Sequence, residues 1–314
     1  MPTYDEVQAR DATLVPEEIS YNIIQDAAKS SAALALGRRV PMSTKKSRVS
    51  VIDSFPDAYW VDGDTGLKQT TNMGWDHIWM EAEPIASLVV IPDEYAADAG
   101  INLWAEIQPR VAEAIGKTLD NAIFWGVNKP ATWTSDYLYA GIVGAGNMAT
   151  ETADLGADIG SLAEVMETDG VMVNGFASRP GFKWKLRNLR VANAPVFAST
   201  VDSNTLSNQV VDQLYGYPLR AVENGTWQSA KATLIMGDWS KLYVGVRQDI
   251  TYSIHSDAVI TDADGKVVFN AMQQDSKIMR VVARYGYTIV NPSSSLADRP
   301  FPFAALRPAG APAS

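Results

Sequence analysis

The chain of 314 residues contains no cysteine and only two histidines, His77 and His255. The lack of cysteine excludes disulfides and thiolate metal sites. A zinc site usually needs several histidine or cysteine ligands, and neither histidine has a partner at ligand spacing, so both are expected to be structural. No Gly-x-Ser-x-Gly elbow accompanies them, so a Ser-His-Asp triad is not indicated either.

Long apolar runs and an excess of positive charge are also missing. No run of about 18 apolar residues occurs, so no membrane contact through a transmembrane helix is expected. The first ten residues are polar and lack a signal-peptide core. The formal charge is −10, from 26 basic and 36 acidic residues, which disfavours direct recognition of nucleic-acid phosphate. With 46% apolar residues, the chain can still build a substantial core.

Two motifs that could carry chemistry are weak. Residues 141–146 are rich in glycine, but they lack the order of G-x-G-x-x-G and no Gly-Lys-Ser/Thr follows, so we interpret them as a flexible loop. Residues 262–265 begin like a calcium loop, yet the third acid and the bidentate acid at position twelve are missing, which favours a β-turn. We therefore expect no catalytic residues, no cofactor, no metal site and no enzymatic activity.

The segment from Ser47 to Glu83 has the pattern of a long two-stranded ribbon. Polar and apolar side chains alternate over residues 48–51 and again over residues 73–79, as in strands. Between the two limbs, residues 62–66 contain Asp-Gly and Thr-Gly, which suit tight turns. A solitary hairpin is only marginally stable in water, so this ribbon needs a partner surface, either in its own domain or on another subunit.

A long amphipathic helix is predicted from Asn102 to Gly126. Its length is roughly 35 Å at about 1.5 Å per residue. Pro109 lies in its first turns and indicates either a kink or a later start. The apolar positions recur every four residues, at Ile107, Val111, Ile115, Leu119 and Ile123.

Two other features concern burial and charge. The apolar run from Leu88 to Ile91 predicts a strand that is buried on both faces. The pairs Arg38-Arg39 and Lys45-Lys46 are either a solvated surface or contacts to a neighbour's acidic surface or to packaged DNA. The basic cluster between Lys183 and Arg190 suits an intersubunit salt-bridge surface better than a nucleic-acid site.

Taken in order along the chain, these segments resemble the major capsid proteins of tailed double-stranded DNA bacteriophages, which have the Hong Kong 97-type capsid fold, an α+β fold. The resemblance covers nearly the whole chain; its weight lies in the ordered series, since no single motif is specific. The matching stretches are residues 14–20, 58–63, 89–94, 114–120, 124–130, 214–218, 237–240 and 279–287, followed by Asn291-Pro292.

The resemblance also implies a domain organisation. The spine helix, 102–126, belongs to the peripheral domain. The implied segments are an N-terminal arm (1–46), an E-loop hairpin (47–83), a peripheral domain (84–130 with strands from 250–291), an axial domain (131–249) and a C-terminal tail on the axial domain (292–314).

The function implied is structural. Copies of the chain would self-assemble as pentamers and hexamers into an icosahedral virion capsid, in the bacterial host cytoplasm, around phage DNA held without sequence-specific contact. A portal protein is an expected partner, and a decoration protein is a further option. The alternative within the same fold is an encapsulin-type nanocompartment shell that holds enzyme cargo. A soluble enzyme is the third class, and it lacks a credible site.

Intersubunit contacts are expected from three groups of residues. Large aromatic residues dominate interface energetics, so three tryptophans of the ribbon segment are candidate anchors for a neighbouring subunit. The alternative is that these tryptophans belong to the core of the hairpin's own domain. The groups are the E-loop tip (Asp62, Gly63, Asp64, Thr65, Gly66, Lys68), the anchors (Trp60, Trp75, Trp79) and the basic N-arm residues (Arg38, Arg39, Lys45, Lys46).

Two departures from the family pattern carry further expectations. Some members join an E-loop lysine to a neighbour's asparagine with the help of a buried glutamate. Lys68 lies at the lysine position, but Val282 takes the place of the glutamate and Asp275 that of the asparagine, so no crosslink is expected. The chain also starts almost directly at the N-arm, from which we expect no cleaved leading segment and a separate scaffolding protein.

Overall fold

The computed structural model describes residues 31–61, 68, 70–98, 103–188, 190–191, 194–195 and 213–310. These residues form two compact units. The first draws on the described residues within 84–115 and 248–284, and the second on those within 31–83, 116–247 and 285–310. Helix α3 and strands β12 and β15, whose bounds follow, each contribute residues to both units.

The helices are α1 (Ala32–Leu36), α2 (Asp93–Asp98), α3 (Leu103–Trp125), α4 (Leu138–Ala145), α5 (Leu155–Thr168) and α6 (Phe182–Arg187), with a 3-10 turn at Trp239–Lys241. The first eight strands are β1 (Arg38–Pro41), β2 (Lys46–Ser54), β3 (Gly74–Glu81), β4 (Glu83–Pro92), β5 (Met148–Thr150), β6 (Gly175–Ser178), β7 (Arg190–Val191) and β8 (Ala194–Pro195). The others are β9 (Gln213–Leu214), β10 (Tyr217–Ala221), β11 (Leu234–Gly237), β12 (Leu242–His255), β13 (Val259–Thr261), β14 (Val267–Asn270), β15 (Ser276–Ile289) and β16 (Phe303–Arg307).

The long helix α3 follows its apolar stripe. It runs from Leu103 to Trp125, so the predicted spine helix is confirmed and the later start suggested by Pro109 is wrong. The positive φ of Gly126, 71°, follows its last turn. Four of the five stripe positions are buried, namely Val111, Ile115, Leu119 and Ile123.

A four-stranded sheet has the order β1-β12-β15-β4. β4 lies at the edge of this sheet. The prediction that Leu88 to Ile91 is buried on both faces is wrong, because Leu88 is 53% exposed and only Ile91 of the run is buried. An edge strand has a neighbouring strand on one side only, so its side chains are covered less than those of a central strand.

A six-stranded sheet with the order β5-β16-β11-β6-β10-β9 lies wholly in the second unit. Its central strand β11 pairs antiparallel with both β16 and β6, and all four of its residues are buried. Helices α5 and α6 supply the rest of this core. The buried cluster includes Leu155, Ile159, Leu162, Met166, Phe182, Leu186, Phe176, Leu234, Met236 and Leu306.

Residues 141–145 of the glycine-rich segment are helical and Gly146 caps the helix, so the prediction of a flexible loop is wrong. Helix α4 buries Leu138 and Ile142. A Cβ on Gly141 would lie 2.2 Å from the Phe301 ring, whereas nothing lies within 4 Å of the corresponding position on Gly144. Glycine at position 141 therefore permits a close helix contact rather than a flexible chain.

The β-turn predicted at residues 262–265 is confirmed. Strands β13 and β14 form an antiparallel hairpin around it. The Asp262 carboxylate accepts hydrogen bonds from the backbone N–H groups of Asp264 and Lys266, and Gly265 takes a φ of 80°. These side-chain-to-backbone bonds are those of an Asx turn.

Candidate intersubunit surface

Strands β2 and β3 form the predicted ribbon. They pair antiparallel, with Arg48 opposite Trp79, Ser50 opposite His77 and Ile52 opposite Trp75. Among the described strands, these two pair only with each other. The strand prediction for this part of the arm is therefore confirmed, and the pairing register decides which side chains share a face.

The ribbon has an inner face and an outer face. On the inner face, Val51 and Met80 are buried. On the outer face, Trp75 is 60% exposed and Trp79 is 47% exposed, with the exposed His77 between them. Trp60, beyond the end of β2, is 102% exposed. The three predicted anchors are thus not part of the core of their own chain.

The outer face is also cationic. Lys46 places its Nζ 4.8 Å from the centroid of the Trp79 ring, a cation–π distance. Arg48, opposite Trp79, is likewise exposed on this face. Exposed indoles next to basic groups make a surface that favours an acidic and partly apolar partner.

One end of the ribbon is tied to the segment after α3. Trp133 donates its indole N–H to the carbonyl of Glu81 at 2.8 Å, and Thr132 donates to the Glu83 carboxylate at 3.0 Å. Lys45 lies 3.0 Å from Glu83 and 3.4 Å from Glu81. The hydrogen bond from Lys45 lowers the pKa of Glu83, and the Thr132 hydroxyl adds to this against the opposing effect of burial.

The segment that precedes β1 is held by a buried carboxylate on α3. Asp120 is fully buried and accepts hydrogen bonds from Ser31 Oγ at 2.5 Å, from the N–H of Ala32 at 2.9 Å, from the N–H of Ala33 at 3.1 Å and from Asn224 Nδ2 at 2.5 Å. Burial raises the pKa of Asp120, while its hydrogen bonds act in the opposite direction. The carboxylate thus joins α1, α3 and the loop after β10.

The other predicted contact residues fall into two groups. Arg38 donates to the Tyr243 hydroxyl, Arg39 donates to the Leu34 carbonyl, and both stay exposed, as do Lys45 and Lys46. Lys68 is exposed, while the tip residues Asp62, Gly63, Asp64, Thr65 and Gly66 lie outside the described residues. The contacts of all these residues with a neighbour stay predictions.

Sequence reasoning missed the role of Asp120. A carboxylate directly after the stripe residue Leu119, with apolar residues again from Ala122 onward, is the signal that could have indicated it. Two features are absent from the described part of the chain. None of its helices is long and apolar enough to cross a membrane, and no group of three potential metal ligands occurs in it.

The chain matches the model of the Phage capsid family over residues 11–295. It belongs to the phage capsid family. This subunit is 24% identical over 276 residues to the major capsid protein of Staphylococcus phage 80alpha, which covers 87% of the chain and 80% of that protein.

Solved structures agree with this membership. One from Microbacterium phage Oxtober96 has a TM-score of 0.82 and 31% identity, and covers 95% of this chain and 97% of its own. A structure from Mycobacterium phage Adephagia has a TM-score of 0.82 and 26% identity, and the match covers 96% of this chain and 97% of the phage chain. The subunit has the Hong Kong 97-type capsid fold, and it is a structural capsid protein of a phage rather than a member of an enzyme family.

Proposed function

We propose that copies of this subunit assemble as pentamers and hexamers into an icosahedral shell that encloses the phage genomic DNA. The observation that carries the proposal is the outer face of the ribbon, where Trp75 and Trp79 lie on one side of β3 and are 60% and 47% exposed. Such a face is costly in water unless another molecule covers it. In a capsid protein, that molecule is a second copy.

The ribbon is the element that reaches the neighbour. Strand β2 has nine residues, which corresponds to about 30 Å of extended chain. The cationic groups Lys46 and Arg48 lie on the same face as the two indoles, whereas the subunit as a whole carries a charge of −10. A ribbon with basic and aromatic side chains on an acidic subunit favours contact between the ribbon of one copy and the remaining surface of another. Contact between the acidic surfaces of two copies is disfavoured.

The same charge distribution also bears on the contents of the shell. An acidic wall repels DNA, so the genome is enclosed without sequence-specific contact.

Assembly takes place in the host cytoplasm with a separate scaffolding protein, and a portal protein occupies one vertex. A decoration protein on the outer surface is a further partner of this proposal.

The shell is held by non-covalent contacts. Position 282, where crosslinking relatives would have the assisting glutamate, is a half-buried valine on β15. Without a carboxylate there, the lysine lacks a proton acceptor for attack on an amide. Particles boiled in detergent should therefore run as a single subunit band, and a ladder of covalent oligomers would contradict the proposal.

The direct test is negative-stain electron microscopy of particles from the native source, before and after nuclease treatment. Closed icosahedral shells that protect long DNA are the expected result. Shells that contain protein and no DNA would assign the chain to a cargo compartment instead. A preparation without shells would overturn the proposal.

A further inference from the structure

The turn at residues 293–299 is fixed by its own hydrogen bonds. The Ser294 hydroxyl accepts from the backbone N–H groups of Leu296 at 3.1 Å and Ala297 at 2.9 Å, and the Ser294 N–H donates to the Ala297 carbonyl at 2.9 Å. The turn ends at Arg299, whose φ of 47° is uncommon for a residue other than glycine. Such a conformation persists only where the surrounding contacts demand it.

On one side, this turn is attached to the end of α5. Ser294 Oγ donates to the carbonyl of Asp169 at 2.8 Å. The next residue, Gly170, has a φ of 80°, and a Cβ there would lie 2.8 Å from Ser294 Oγ. The turn and the end of α5 therefore approach as closely as a glycine permits.

On its other side, the turn contacts both strands of the ribbon, at the end remote from Lys45. The Ser293 N–H donates to the carbonyl of Ile52 on β2 at 3.1 Å. Arg299 Nη2 donates to the Asp76 carboxylate on β3 at 2.6 Å, and Arg299 Nη1 lies 3.9 Å from Asp53 on β2. A guanidinium can reach two carboxylates with a fixed fork of donors, which a lysine cannot.

The electrostatics support these contacts. The pKa of Asp76 is lowered first by the backbone N–H of His77 and then by the hydrogen bond from Arg299. The Asp76 carboxylate is therefore charged at neutral pH, where Arg299 is charged as well. The ribbon is thus held at two places: by Lys45 and Trp133 near Glu81, and by Arg299 near Ser54 and Gly74.

We propose that the 293–299 turn is a bracket that sets the angle of the ribbon relative to α5, with Arg299 as its positioning residue. A two-stranded ribbon held at one end only can pivot about that end, because it has little stability of its own. With the bracket in place, the exposed face with Trp75 and Trp79 points in one direction in every copy. The inference rests on the proposed function, because the face matters only if a second copy covers it.

The ribbon angle can be measured on unassembled subunits. The chain has no cysteine, so Ser50→Cys on the ribbon and Glu164→Cys on α5 give a unique pair of attachment points for spin labels. In this background, the distance distribution between the labels should be narrow. Arg299→Ala should broaden it at least twofold, and Arg299→Lys should give an intermediate width. Arg284→Ala, which removes an exposed arginine on β15, is the matched control and should leave the width unchanged.

A second variant keeps the test valid if Arg299→Ala folds poorly. Asp53→Asn with Asp76→Asn removes both carboxylates without altering the turn, and it should broaden the distribution to a similar extent. Both variants should also lower the yield of closed shells at least tenfold at unchanged subunit solubility. An unchanged distance distribution in the variants would overturn the bracket. Broadened distances with a normal shell yield would overturn the claim that the ribbon angle matters for assembly.

The distances report on the bracket whether or not shells form. If the parent chain forms no shells and its distances nevertheless broaden on removal of Arg299, the proposed function fails while the bracket stands. If the parent forms shells and the distances do not respond, the bracket fails and the proposed function stands.

Discussion

The carboxylate of Asp120 and the outer face of the ribbon lie in the same compact unit, but they meet opposite requirements. Asp120 is fully buried, and four donors from its own chain satisfy its oxygens. On the ribbon, Trp75 and Trp79 are large apolar groups that their own chain leaves about half exposed. The first region is complete within one molecule, and the second becomes complete only when another molecule covers it.

Two strands of the same compact unit differ in a similar way. All four residues of β11, in the middle of the six-stranded sheet, are buried. In β3, which carries Trp75 and Trp79, exposed side chains alternate with buried or partly buried ones, as expected when only one face is covered. A strand that is uniformly buried makes its contacts within the subunit, whereas a strand with one exposed aromatic face can also contact a second subunit.

The largest effect on stability is expected in the complete region. Asp120→Ala would leave four buried donors without an acceptor and should lower the free energy of unfolding by about 3 kcal/mol. Urea unfolding of unassembled subunits, followed by circular dichroism, measures this. Glu167→Gln, which neutralises an exposed acid on α5, is the control and should change the value by about 0.5 kcal/mol or less. Equal effects of the two variants would contradict the role of Asp120.

A second prediction uses the two sides of helix α4. Gly141→Ala would force a Cβ against the Phe301 ring and should lower the free energy of unfolding by about 2 kcal/mol. Gly144→Ala on the same helix meets open space, so it should raise the value by about 0.5 to 1 kcal/mol through helix propensity. Thermal unfolding of the two variants gives the sign directly. If both variants shift the unfolding midpoint in the same direction, the close contact between Gly141 and the Phe301 ring is wrong.

The third prediction concerns the open region. Trp75→Ser together with Trp79→Ser should lower the free energy of unfolding by about 2 kcal/mol at most, because about half of each indole is already in water. The same double variant should reduce the yield of closed shells at least tenfold, since interface energy concentrates in buried aromatic residues. Sedimentation separates shells from free subunits. A large loss of subunit stability with normal assembly would reverse our assignment of the two regions.

The smallest effect is expected at the ion pairs of Lys45. Lys45→Gln should shift the urea midpoint only slightly, and the difference from the parent should shrink in high salt because exposed charges are screened. The pKa of Glu83 is lowered from its ordinary value of 4.5 in the fold, so its contribution is present above that value and is lost as the pH falls through the lowered pKa. In urea unfolding, the difference between Lys45→Gln and the parent should be largest at pH 7 and should shrink as the pH falls below 4.5.

Local patterns predicted the elements that have a regular period. The four-residue stripe from Ile107 to Ile123 located helix α3 within one residue at each end. The alternation around residues 48–51 and 73–79 located the ribbon. In both cases one face of the element is less exposed than the other, so the local spacing of apolar residues is enough to predict the element.

The features that escaped prediction depend on distant residues. Asp120 meets donors that lie 88 and 104 residues away in the chain, and Arg299 meets a carboxylate that lies 223 residues away. Helix α4 escapes prediction because nothing near Gly141 in the sequence indicates that the Phe301 ring packs against it. The exposure of Leu88 also escapes prediction, because an apolar run does not reveal that its strand lies at a sheet edge.

The contact between the ribbon and a second subunit is tested most directly by a cryo-electron microscopy reconstruction of the assembled particle at a resolution that shows side chains. We expect an icosahedral shell in which Trp75 and Trp79 of each subunit are buried against a neighbouring copy, while the Asp120 contacts are the same in every copy. A shell in which both indoles remain in solvent would contradict the claim that this face is completed by a second subunit.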